Sequence, residues 1–419
     1  MRRNLYALVA AALATGCAQM QQAFAPSAPA KVEVSAAANT NLPQGAPAWK
    51  QGLADPTQQT SLAPHPPKLT VTPLNEIPVG QIKVPAGFQV EVWAHGMPGA
   101  RMMARGPGGK VYVGTRGIGR VYEVTDAGGQ RTTRILAEKL TQPNGLAFNK
   151  DSLYVMAIDK VLRYDGVEKN PNVQPVDMTA AFKLPPKPHH NWKFLMAGPD
   201  GKLYVPFGAP CNICELEPEY GQIRRYNWDG SGMEVVATGV RNSVGFDFHP
   251  RTRELWFTDN GRDWAGDDGP EEELNRVTKV GEFFGFPFCH ANGIPDKDVR
   301  KPNPCQGVTM PVALLGPHTA ALGMRFYTGS MFPADYREAI FVARHGSWNR
   351  TKKAGFDVVR VTAGPDGRNA RVEPFMTGFL DTASDKFWGR PTDVLVMPDG
   401  ALLVSDEQNG AIYRVSYRR

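Results

Sequence analysis

No dense block of lysine or arginine occurs in these 419 residues, and the formal charge of +6 is modest for such a length. A nucleic-acid partner would call for a basic face, so its absence argues against that class. Little in the chain favours long helices: 43 glycines and 36 prolines break it into turns. Leu5 to Ala14 is an apolar run too short to span a bilayer. Cysteine is scarce at five residues. What is present is ordinary globular material, 42% hydrophobic and 21% charged, enough for a packed core in one large domain or two smaller ones.

The short apolar run follows Arg2 and Arg3 and precedes "LATGCAQ", the layout of an export signal. Gly16-Cys17 resembles a bacterial lipoprotein cleavage site, with Ala14 standing where a larger aliphatic residue is preferred; a cut after Ala25 is opposed by Pro26. The expectation is an exported chain, held in the periplasm as a lipoprotein through Cys17. In an oxidising compartment the other four cysteines read as two disulfides, most simply Cys211–Cys214 and Cys289–Cys305, although sequence leaves the connectivity open. A four-cysteine zinc site is the alternative, weakened because one pair is not a CxxC. Haem attachment is opposed by Glu215, which stands where that motif needs histidine.

Residues 26–78 carry ten prolines among many Ala, Gln and Thr, a composition that buries little surface. The expected organisation is a signal over 1–17, an extended tether over 18–80 and one folded domain over 81–419. Within that domain a unit recurs: apolar strand, Pro/Gly/Asp turn, second strand, polar break, third strand. It is seen at 103–124, 145–165, 194–230, 245–261, 323–346 and 393–417. Alternating β-branched and aromatic residues between Gly/Pro turns mark strands. Six such units predict an all-β fold, a six-bladed β-propeller of four-stranded antiparallel blades, because radial packing removes long exposed edges. "FQVEVWA", 88–94, is placed to complete the last blade.

Loops at one end of a propeller converge, so polar residues at matching blade corners are the candidates for chemistry. They lie in "QPNG" (142–145), "HHNW" (189–192), "GVRNSVG" (239–245), "TDNGRDWAGDDGPEEELN" (258–275), "HTAALGMRF" (318–326), "ARHGSWNR" (343–350) and "GRPTD" (389–393). His190 draws notice because imidazole exchanges protons near neutrality; a hydrogen-bonded loop histidine would look the same in sequence.

In this order the motifs resemble the soluble quinoprotein sugar dehydrogenases. Within that superfamily "CNICE", "GVRNSVGFDFHP", "LWFTDNGRDWAGDDGPEEELN" and "HGSWNR" are most similar to the sorbosone dehydrogenase branch. The resemblance runs over roughly 82–419. It implies a propeller that binds pyrroloquinoline quinone (PQQ) and calcium and oxidises an aldose or sugar aldehyde, passing electrons to a quinone or cytochrome. Residue by residue, it implies His190 as general base, with His189 orienting the loop. Arg241 and Asn242 would face the cofactor, Arg241 also polarising its carbonyl. Arg350 would hold a second carboxylate, Asn144 would make a further contact, and backbone carbonyls of Gly261 and Arg262 would ligate Ca²⁺.

The chain departs from the glucose-oxidising members. Arg262 replaces a proline, Thr328 stands where a lysine is expected, and "APCNICELEPEYG" does not match their substrate loop. Two other readings compete. A calcium-dependent lactonase-type propeller would conscript Asn144, Asn242 and Asp393 as ligands, and a propeller can also be a non-enzymatic binding module.

Overall fold

The computed structural model of the protein describes residue 62 and residues 64–418. The signal, Cys17 and most of the expected tether lie outside the described residues.

Six four-stranded antiparallel sheets form a ring. Blade 1 comprises Ala100–Arg105, Val111–Thr115, Val121–Ala127 and Gln130–Ala137, each strand pairing with the next. Blade 2 runs from Gly145–Asn149 to Val176–Asp177, blade 4 from Gly245–Phe248 to Ala313–Pro317, and blade 5 from Ala321–Phe326 to Arg371–Met376. In blade 3 the sheet Met196–Ala197 to Glu234–Thr238 gains a fifth strand, Glu282–Phe283, paired in parallel. Blade 6 comprises Pro391–Val396, Leu402–Asp406, Ala411–Tyr417 and, as expected, the N-terminal strand Phe88–His95. Phe88 pairs with Tyr417 and Val90 with Val415, which closes the ring.

The alternation read from sequence places apolar side chains between blades. Tyr112, Val121, Leu153 and Val155 pack blade 1 on blade 2, and Trp256, Leu274, Met324 and Val342 pack blade 4 on blade 5. First strands are innermost and pack on one another around the axis. There the spacing is so tight that a Cβ on Gly245 would run into the Leu322 carbonyl, and one on Gly323 into the Asp393 carboxylate. Buried aspartates stitch these strands together: Asp247 Oδ2 accepts from Phe326 N at 2.9 Å and Asp393 Oδ2 from Met103 N at 2.8 Å. Burial raises both carboxyls, and Arg325 between them opposes that shift.

Residues 64–80 lie against the propeller, with Ile77 buried. Thr72 Oγ1 donates to Asn409 Oδ1 at 2.6 Å, and His95 Nε2 meets Thr72 O at 2.6 Å. Pro67 sits on Gly117, where an added Cβ would lie 2.8 Å from the proline's own. Composition underrated this stretch because its prolines find partners on the blades.

Both expected disulfides are present, Cys211–Cys214 and Cys289–Cys305. All four sulfurs are spent, which removes the zinc alternative.

Candidate functional site

The segments just before each first strand and just after each second strand meet at one end of the ring. They enclose a cavity of about 190 Å³ lined on its polar side by Arg101, Arg116, Arg241, Arg390, His189 and His190. Asn242, Gly261, Asp263, Glu272, His345 and Trp348 complete most of the wall, and Pro64 and His65 close one side.

The "GVRN" corner is held by a carboxylate from the neighbouring strand. Asp259 accepts from the amides of Arg241 at 2.8 Å and Asn242 at 2.6 Å. Burial raises Asp259 to about 6, against the pull of those amides and of Arg241 itself. Four of the five guanidinium N–H groups of Arg241 are committed. Nε donates to Asn212 O (2.9 Å), Nη1 to Asn260 O (3.1 Å), and Nη2 to Asn212 Oδ1 (2.8 Å) and Asp263 Oδ2 (3.1 Å). One Nη1 hydrogen remains for the cavity. Among the described residues Asn242 Oδ1 is buried without a hydrogen-bond partner.

His190 takes a left-handed backbone, φ 49°, as do Trp264, His318 and Ala320 around the same opening. Such conformations cost about 1–3 kcal/mol each and persist only where the surroundings impose them. His190 Nδ1 lies 3.0 Å from Ala209 O. A carbonyl can only accept, so Nδ1 carries the proton and Nε2 is the basic nitrogen. Burial, then His189 and Arg241, hold this imidazole well below its ordinary value. His189 also lines the cavity, its ring centroid 4.0 Å from that of His190.

Across the opening, Arg101 Nη1 pairs with Glu407 Oε2 at 2.7 Å, and His345 Nε2 donates to the same oxygen at 2.6 Å. Burial, reinforced by Arg390, lowers His345 to about 3, so it is neutral. Burial likewise lowers Arg116 and Arg390 to about 10, with Arg101 adding to the effect on both. Glu272 accepts from Gly261 N and Ala320 N, and burial raises it to about 8. Asp263 is already paired with Arg241, and Glu272 is largely protonated at neutrality. The wall therefore keeps an excess of positive charge.

Not every sequence candidate reaches the cavity. His190, Arg241, Asn242 and Gly261 do. Asn144 stands behind it, accepting from Arg101 Nε at 3.1 Å and donating to Lys193 O at 2.7 Å. The Arg262 side chain is buried on Asp296 and Asp298, at 2.7 and 2.8 Å. Arg350 turns outward: its donors go to Asp267 O, Lys352 O and Asp268, so the expected carboxylate contact is not available to it. Thr328 is exposed beyond the far end of blade 5's first strand, away from the cavity, and is not where a missing lysine should be sought. The positive charge missed in sequence comes from Arg101, Arg116 and Arg390.

The profile of the TrAA12-like family matches residues 82–418. The chain belongs to that family. An uncharacterised protein of Borreliella burgdorferi is 33% identical over 351 residues, 81% of this chain and 91% of the relative. Among solved structures, the TrAA12-like fold is shared with a calcium structure of Trichoderma reesei carbohydrate-active enzyme family AA12. That likeness has a TM-score of 0.68 and 19% identity, over 80% of this chain and 97% of that one. The holo PQQ domain of pyranose dehydrogenase from Coprinopsis cinerea gives 0.65 and 20%, over 80% and 97%. The PQQ-bound aldose sugar dehydrogenase of Streptomyces coelicolor gives 0.57 and 20%, over 80% and 100%.

Proposed function

We propose that this member of the TrAA12-like family is a PQQ- and calcium-dependent dehydrogenase of an aldose or sugar aldehyde. The observation that carries the reading is the set of four arginines, Arg101, Arg116, Arg241 and Arg390, around one cavity that also holds a neutral histidine with a basic Nε2. Arg101 is paired with Glu407 and Arg241 with Asp263, which leaves Arg116 and Arg390 without a carboxylate partner among the described residues; such an opening favours an anion, and PQQ carries three carboxylates. The unpartnered Asn242 Oδ1 and the spare Nη1 hydrogen of Arg241 are polar groups that such a ligand would satisfy.

Calcium fits the oxygen donors on the same wall. Among the described residues no donor engages the Gly261 carbonyl, and the Asp263 carboxylate stands two residues on, also on the lining. No three His, Cys, Asp or Glu side chains of the described residues gather into a metal cluster. A lactonase-like calcium would instead use Asn144, Asn242 and Asp393. Asn144, one of its would-be ligands, is committed to Arg101 and Lys193.

When bound, PQQ supplies an ortho-quinone able to accept a hydride equivalent. The chain's own part is to bind and orient it through the arginines and Asn242, and to remove the substrate hydroxyl proton at His190 Nε2. The positive wall favours negative charge developing beside it. Export to the periplasm, lipid attachment at Cys17, and a quinone or cytochrome as electron acceptor complete the proposal.

The test adds PQQ and Ca²⁺ to purified protein and follows dye reduction with a panel of aldoses and sugar aldehydes. Expected are a quinone absorbance band that bleaches on substrate addition, and turnover abolished by chelation. No binding of PQQ at micromolar concentration with calcium present would overturn the reading.

A further inference from the structure

The disulfide Cys211–Cys214 closes a small ring around Asn212 and Ile213. Its sulfurs do not line the cavity, yet the residue it presents reaches two of the residues that shape it. Asn212 is fully buried. Its backbone carbonyl accepts from Arg241 Nε at 2.9 Å, and its Oδ1 from Arg241 Nη2 at 2.8 Å. The same Oδ1 accepts from Asp263 N at 2.8 Å, while Nδ2 donates to Asp263 O at 3.0 Å. One asparagine thus grips the Nε/Nη2 edge of the guanidinium and two backbone atoms of the next corner.

The segment entering the ring does related work. Ala209 O takes the His190 Nδ1 hydrogen at 3.0 Å, and Ala209 N donates to Arg241 O at 2.7 Å. Gly208 lets these strands approach, since a Cβ there would lie 2.7 Å from His190 Cβ and 2.8 Å from Arg241 O. Ala209, Cys211 and Ile213 pack on Phe286, so the ring is anchored from behind by apolar contact.

We infer that Asn212, held rigid by the Cys211–Cys214 ring, is a positioning residue for the site: it fixes the Arg241 guanidinium and the Asp263 backbone so that one Arg241 N–H is left for the ligand. The inference rests on the proposed reaction for its effect on turnover, but the arrangement itself does not. A freely rotating arginine would lose several-fold in affinity through its own entropy and could pair with Asp263 alone. Two acceptors on one rigid residue set the plane of the guanidinium.

The experiment compares wild type with Asn212→Ala, Arg241→Ala, the double variant, and Cys211→Ser/Cys214→Ser. PQQ affinity with Ca²⁺ is read by quenching of tryptophan fluorescence, and kcat and KM by dye reduction. Hydrogen exchange is followed in peptides covering 260–264, and the melting temperature serves as a check on folding. Asn212→Ala should lose about 10- to 100-fold in PQQ affinity and kcat, the usual scale for a lost supporting contact, with sugar KM little changed. Exchange at the Asp263 amide should rise with the melt nearly unmoved. The double variant should lose clearly less than the sum of the two single losses, because Asn212 acts largely through Arg241. The cysteine pair should show the same pattern more weakly, and it stands in should Asn212→Ala fail to fold. Additive losses in the double variant, or unchanged exchange and affinity in Asn212→Ala, would overturn the inference. If wild type binds no PQQ, the proposed reaction fails and the exchange measurement alone decides on Asn212.

Discussion

Arg101 and Glu407, from opposite ends of the chain, form a buried ion pair at 2.7 Å across the seam between blade 1 and blade 6. His345 donates to the same carboxylate at 2.6 Å, so Glu407 gathers two cavity groups onto one anion. Burial alone would raise this carboxyl; Arg101, His345 and Arg390 outweigh it and hold it below the usual range. Glu407→Gln should therefore leave Arg101 buried without its counter-ion and cost about 3–5 kcal/mol. Denaturant melts at pH 7 measure this, and a loss under about 1 kcal/mol would show that the pair matters little.

His190→Ala should lower turnover by about 10²- to 10⁴-fold while PQQ binding stays nearly intact, since the arginines supply most of that affinity. His189→Ala should cost much less. Near-equal losses from the two, measured as kcat with saturating cofactor, would remove the distinction drawn between them.

The pH dependence has a definite sign. Burial, His189 and Arg241 depress His190, so its Nε2 stays unprotonated at pH values where a free imidazole is charged. Activity should be flat through pH 6.5 and fall only on further acidification. An acidic limb centred at or above 6.5 would take His190 out of the base role.

Pro64 and His65 form one side of the cavity, with the His65 ring 4.8 Å from Phe387 and its Nε2 3.2 Å from Ser347 O. A chain beginning at residue 73 should fold, because the blades are complete without the arm. It should also accept larger sugars, read as a fall in the KM ratio of a disaccharide to its monosaccharide. An unchanged ratio would mean that the arm lies beside the site without shaping it.

The blades were legible because strands, turns and apolar alternation are local signals repeated six times. The closing strand was legible too, since "FQVEVWA" has strand character and no partner nearby in sequence. The charge at the site was harder to place. Arg350 looked suited to a carboxylate, but five positions beyond His345 the loop has turned outward, and Asp267 and Asp268 capture its guanidinium. The position after each second strand carried a readable signal. Arg116, Asn260, His345 and Glu407 each directly follow the second strand of a blade, and all stand at or beside the cavity. Arg101 and Asn144 needed three dimensions, because their partners come from other blades.

The pairing of Phe88–His95 with Ala411–Tyr417 also sets a clock. The seam joins nearly the two ends of the described chain, and loop closure over that span must precede any return from the contacts it makes. Blades 1 to 5 can each form as their strands emerge, but the ring stays open, with two unpaired edges, until the last residues are available. The cavity is built from corners of every arc of that ring. A chain shortened by a single strand at its C-terminus should therefore lose the whole site at once rather than one wall of it.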